Sequence, residues 1–302
     1  IITFLVSQYY TSKNKIDKIY IPLKNIITDG SGMLTMGFFI SISGLLAAMS
    51  TYLIRIFIVR FGNEIDLGLF TAGFSIVNSY VGLIFTAMAT DYFPRLSSVS
   101  SDRVTCNKMI NQQGEISILI ITPIMIFFLI FINWIIILLY SNEFVMIKDM
   151  MHWAILAIIF KTAGWCIGFV FLSKGDTKLF FLNELVSNIY MLLLNILGYY
   201  YYGLEGLGVA YLIGFFIHLI QMLLISKSYY NFKFENDFIK LFLTQLLFLI
   251  TCFITVKLVN NNLKYLLSIP LLIASIYYTF LELDKRIDIK TILYKFVKKI
   301  DK

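Results

Sequence analysis

Residues 117–140 read SILIITPIMIFFLIFINWIIILLY, with no ionisable side chain except the closing tyrosine. A helix needs about 20 mainly apolar residues to cross the hydrocarbon core of a bilayer, and this stretch exceeds that. Seven more runs flank it, giving eight: 33–59, 67–90, 115–140, 151–172, 179–200, 205–226, 239–258 and 263–281. They are continuous and rich in Leu, Ile and Phe, whereas strands of a membrane barrel are about ten residues long and alternate in polarity. Composition agrees: 59% of the 302 residues are hydrophobic and 14% charged, against roughly 25% charged in a soluble domain. The expected fold is an all-α membrane protein, a polytopic helical bundle.

The 25 Lys and Arg residues sort by loop. Nineteen lie at one side, from Lys13 through Arg95, Arg103, Lys174, Lys227 and Lys240 to the tail after Lys285. The other side has four, Arg60, Lys148, Lys257 and Lys264, and Arg55 and Lys161 lie inside runs. Positive-inside bias places the basic side and the C-terminus of this multi-pass protein in the cytoplasm. The net charge of +7 is thus a topology signal. A nucleic-acid partner would require a basic patch on a soluble fold, and none is expected.

The three cysteines and two histidines are scattered, without ligand spacing, so no metal or other cofactor is expected. Ile1–Val6 is apolar but too short to cross, and reads as the end of a helix that begins upstream. Residues 7–28 form a connector with helically spaced apolar residues among lysines, which suggests an interfacial helix interrupted by Pro22. Pro94 is expected to stop the helix arriving from 67–90, leaving 91–114 as a polar loop in which Asp91 caps or ends that helix. The tail 282–302 is basic and expected to lie on anionic headgroups.

Several runs carry small and polar residues at helical spacing, such as Ser41, Gly44, Thr51 and Arg55, or Thr71, Ser75, Asn78 and Thr86. Such stripes mark close helix packing or a wet cavity, and the charged members favour the cavity. Lys161 is the sharpest case, because a lysine at mid-span costs roughly 2.5–3.5 kcal/mol on insertion scales. Glu184 starts the next helix from the same turn, so a direct or water-bridged pair with Lys161 is conceivable, and an ion pair and a substrate contact are alternative roles for the lysine. Arg55 offers a planar fork for an anion, against the alternative of snorkelling. Asn78, Asn188 and His218 complete the candidate substrate-binding set, packing roles being the alternative for each. No catalytic residue is expected. A polymerase or glycosyltransferase would need a large extramembrane loop or an acidic DxD motif, and neither is found in the sequence.

The segments Gly68-Leu-Phe-Thr-Ala-Gly-Phe-Ser75, Asn78-Ser-Tyr-Val-Gly-Leu83 and Thr90-Asp-Tyr-Phe-Pro-Arg-Leu-Ser97 resemble bacterial O-antigen and polysaccharide translocases. So do Asn111-Gln-Gln-Gly-Glu115 and the pair Phe180–Glu184 and Gly203–Gly208. These translocases belong to the multidrug/oligosaccharidyl-lipid/polysaccharide exporter superfamily. The resemblance implies two six-helix lobes around a central cavity, and therefore the following division: 1–28, the end of a preceding helix and a connector; 29–226, the C-terminal six-helix lobe of a MATE-like transporter; 227–281, two additional helices; 282–302, the tail. It implies a flippase for undecaprenyl-pyrophosphate-linked oligosaccharide, with the lipid-linked oligosaccharide, the lipid bilayer and polysaccharide assembly proteins as partners. Related members often carry an acidic residue just before the position of Arg55, where this chain has Ile54, so no cation site is carried over. A multidrug exporter of the same superfamily would need an acidic cavity, whereas this candidate set is net cationic.

Overall fold

The structure is a computed structural model that describes residues 23–259 and 263–287, together with 6, 8 and 9; side chains of α1 are described from Gly30 onward. The expectations for residues 1–22 and for most of the tail lie outside the described residues.

Seven long helices follow one another: α1 (Leu23–Phe61), α2 (Glu64–Ser98), α3 (Arg103–Leu139), α4 (Lys148–Ser173), α5 (Thr177–Tyr230), α6 (Asn236–Leu258) and α7 (Leu263–Ile287). A short 3₁₀ turn, Asn142–Ile147, leads into α4. Each long helix is long and apolar enough to cross a membrane. The chain is a multi-pass, all-helical membrane protein.

Eight apolar runs become seven helices because α5 holds two of them. Gly203 has φ 59°, a left-handed value that breaks the 54-residue segment into arms 177–202 and 204–230. The arms fold back as an antiparallel pair. A Cβ on Gly198 or Gly206 would collide with the backbone carbonyl of the other, so only glycine permits so close a crossing. Further down the hairpin, the Gln221 amide donates to Asn183 Oδ1 at 2.8 Å.

The helices also run beyond the apolar runs. At 1.5 Å per residue α3 is roughly 55 Å long, against about 30 Å of hydrocarbon. The expected loop 91–114 is therefore corrected. Pro94 lies inside α2, which continues to Ser98, and α3 resumes at Arg103. Asp91 does not end the helix but pairs with Arg95 one turn on, at 2.9 Å. Proline removes one helical hydrogen bond and crowds the preceding turn, but beyond the hydrocarbon core water can take up the freed carbonyl. Asp102 caps α3: the Thr105 hydroxyl and the Val104 N–H donate to its carboxylate and hold it below the usual carboxylate range.

α4 is the centre of the bundle. Its Ala154, Ala157, Ile158, Ala163, Cys166 and Ile167 are almost wholly enclosed. α2 runs beside it, with the Tyr92 hydroxyl donating to the Cys166 carbonyl at 2.8 Å and the Phe85 ring stacked on Trp165 at 5.0 Å. α1 lies against α2 and the first arm of α5, and α6 and α7 pack on the far side against α3.

The segment Asn111–Glu115 is where α3 receives that far side. Asn111 Oδ1 accepts from the Glu235 N–H at 2.9 Å and its amide donates to the Lys233 carbonyl at 3.2 Å, clamping the α5–α6 link. Glu115 pairs with Arg286 of α7 at 2.6 Å. Both side chains of that pair are mostly shielded, and Arg286 also reaches Glu282. Charge is tolerated here because it is paired and lies at the edge of the apolar runs. The alternating helix directions collect Arg95, Arg103, Lys174, Lys227 and Lys240 at one end of the bundle, and Arg60, Lys148, Lys257 and Lys264 at the other.

Candidate functional site

A cavity of about 380 Å³ opens between α1, α2, α4 and both arms of α5. α1 contributes Ser50, Thr51 and Arg55; α2 contributes Thr71, Ser75 and Asn78. The first arm of α5 adds Asn188, Met191 and Asn195, and the second adds Tyr211 and Phe215. Lys161 enters from α4.

Lys161 lies at the midpoint of α4. Side chains on a helix lean toward its N-terminus, so the ammonium is directed away from the basic end of the bundle. It donates to the Tyr211 hydroxyl at 3.1 Å. The ring centres of Phe215, Tyr211 and Phe85 lie 5.1, 5.7 and 6.0 Å from Nζ. Such contacts offset part of the desolvation of a buried cation. They are the reason a lysine can be held at mid-span without a carboxylate.

The same geometry does not join Lys161 to Glu184. Among the described residues no ion pair joins them, because the lysine extends one way along the bundle while Glu184 belongs to the early turns of α5, near the basic end. The Glu184 carbonyl accepts from the Asn188 amide at 2.8 Å, and the residue is not part of the cavity lining. His218 is likewise outside the lining. Its ring fits beside Gly164, where a Cβ would stand 3.2 Å from Cδ2, and meets Phe215 edge-on at 6.1 Å. In this structure it packs α4 against the second arm of α5. Arg55, Asn78, Lys161 and Asn188 are the four expected residues that the fold brings to one cavity.

The polar lining divides into two kinds. Thr51 bonds the Ala47 carbonyl and Asn195 the Met191 carbonyl, each a turn back on its own helix. Groups satisfied in this way are tolerated in hydrocarbon. Arg55 and Asn78 are exposed and make no hydrogen bond among the described residues. A guanidinium and an amide in that condition require water or a polar ligand. The cavity is therefore cationic, wet in character and ringed by aromatic faces.

The aromatic surround of Lys161 was only partly visible beforehand. Tyr211 and Phe215 are one turn apart on a stripe the sequence displays, but Phe74 and Phe85 of α2 look like any other apolar residues. Nothing local signals that they converge on a lysine 76 positions after Phe85.

Residues 5–149 match the family of polysaccharide biosynthesis proteins. The match spans just under half of the chain and includes α1, α2 and α3 with Arg55 and Asn78. Among solved structures, the chain is similar to "Lipid II flippase MurJ, inward closed conformation", with a TM-score of 0.61 over 89% of this chain at 18% identity. The chain spans 57% of the length of that protein. No curated protein sequence matches the chain. The chain thus shares the fold of that structure.

Proposed function

We propose that this chain is the lobe of a flippase that moves an undecaprenyl-pyrophosphate-linked oligosaccharide, an O-antigen or other surface polysaccharide unit, across the bacterial inner membrane by alternating access. The observation that carries the reading is the convergence of Lys161 and Arg55 on one cavity. Pyrophosphate or acidic sugar charge is stabilised there by two cations in a medium where pairing is stronger than in water. Arg55 provides a planar fork for phosphate oxygens, and Lys161 a charge already positioned by Tyr211. Asn78 and Asn188 hydrogen-bond the glycan. Glu184 and His218 are given no glycan contact in this conformation. The prenyl tail stays in the bilayer, so only the head group enters.

The matched polysaccharide biosynthesis family and the likeness to the lipid II flippase support this reading, and the latter favours transport over catalysis. In this proposal 29–226 is the transporter lobe and 227–281 an added helix pair. The basic end and the C-terminus face the cytoplasm, and polysaccharide assembly proteins act alongside it. The test is Lys161→Glu in the full-length protein, in cells that display the surface glycan. Export of the glycan is expected to stop while the amount of membrane-integrated protein is unchanged. Normal export by that variant overturns the role of Lys161.

A further inference from the structure

A second cavity, of about 130 Å³, lies at the end of the bundle opposite the basic one, between α3, α4, α6 and α7. Lys148, Lys257 and Lys264 line it, three of the four cations on that side of the sequence. His152 lies at its base, only 6% exposed, and neither ring nitrogen has a hydrogen-bond partner. Asn133 lines the same space, and its buried side-chain oxygen is likewise without a partner. Asp149 is the acidic member of the lining. Its carboxylate stands 3.9 Å from His152 Nδ1, beyond hydrogen-bonding reach. Lys257 is paired with Glu205 and lies over the Trp153 ring at 4.6 Å, which fixes it at the rim.

We propose that this cavity binds a phosphate group, held by Lys148, Lys257 and Lys264 above the buried His152. The reasoning is one of matching. Several donors converge on a space large enough for several waters or one phosphate, and phosphate has several acceptor oxygens to meet them. Position agrees as well. The Trp153 indole donates to Glu205 at 2.8 Å and the Trp134 indole to the Tyr265 hydroxyl at 3.3 Å, so indole and phenol rings of the kind that settle at the headgroup level surround the site. A phosphate at that level comes either from a lipid headgroup or from free phosphate. The cavity is separate from the one containing Lys161 and Arg55, and the inference stands whether or not the transport reading does.

The chain contains only two histidines, so their ring nitrogens can be read directly. The experiment takes the full chain, labelled with ¹⁵N-histidine, in dodecyl maltoside micelles, which carry no phosphate. One arm titrates inorganic phosphate; the other adds phosphatidylglycerol to the micelles. His218→Asn assigns the two residues. The His152 resonances are expected to shift while those of His218 stay in place. A shift in the lipid arm alone identifies a headgroup site, and a shift with inorganic phosphate identifies a site open to the free anion. The Lys148→Gln/Lys264→Gln double variant, altered only at the rim, should weaken the response about tenfold or more, as expected for losing charge-assisted hydrogen bonds. Arg60→Gln, at the same end but outside the cavity, should not. No shift in either arm, equal shifts of both histidines, or an undiminished response in the double variant overturns the proposal.

Discussion

The outward faces of α6 and α7 and those of α1 and α2 are both exposed and both carry large apolar residues, yet on α1 and α2 a polar stripe runs among them. On α6 and α7 the exposed residues include Leu243, Leu247, Ile254, Leu266, Ile273 and Ile276. On α1 and α2 they include Ser41, Thr51, Arg55, Ser75, Asn78 and Thr86. Average hydropathy does not separate the two, since α1 and α6 are nearly equal in it. The difference lies in where the polar groups point. Apolar exposure at bilayer depth is solvated by acyl chains, whereas an unpaired guanidinium or amide there needs water. One face is thus a lipid surface and the other the wall of a wet space.

The largest effect that tests this contrast is a carboxylate placed on each face. Leu247→Asp is expected to cost roughly 2.5–3.5 kcal/mol of insertion free energy, as for a charge at mid-helix in lipid. Ser75→Asp should cost well under that, since its surroundings are already polar. The fraction of membrane-integrated protein, measured side by side, decides, and equal losses would erase the distinction. A finer comparison uses thiol accessibility. The native Cys106, Cys166 and Cys252 are all buried, so background labelling is low. Asn78→Cys should react with a membrane-impermeant maleimide at least about tenfold faster than Ile273→Cys, because the thiolate forms only where water reaches it. Similar rates would show that the α2 face is dry. The smallest effect is at Tyr211. Tyr211→Phe removes the hydrogen bond from Lys161 but keeps the ring, and should lower glycan export about fivefold, near 1 kcal/mol. Unchanged export would mean that the bond does not position the ammonium.

Fold and site were legible to different degrees. All eight apolar runs reappear as crossing segments, including both arms of α5, whose hairpin was implied by the short polar interval around Gly203. Polar link 91–114 was misread, because a proline breaks a helix in an average context but not at this one. Four of six candidate residues share a cavity, since their spacing put them on the small-residue stripes of their helices. Of the two roles open for Lys161, an ion pair with Glu184 is not formed among the described residues: residue count gives depth along two helices but not the direction in which the lysine side chain leans.

What the amino-acid sequence determined by itself is therefore the number of crossings, their order and the end at which charge gathers. Each depends on the transfer free energy of one segment at a time, and such terms add up locally. Only the tertiary structure decided which exposed face is wet, which rings enclose Lys161 and which lysines meet over His152. Those depend on helix rotation and side-chain direction, set by close contacts such as Gly208 against the Met150 backbone and Asn111 against the α5–α6 link, between residues far apart in the chain.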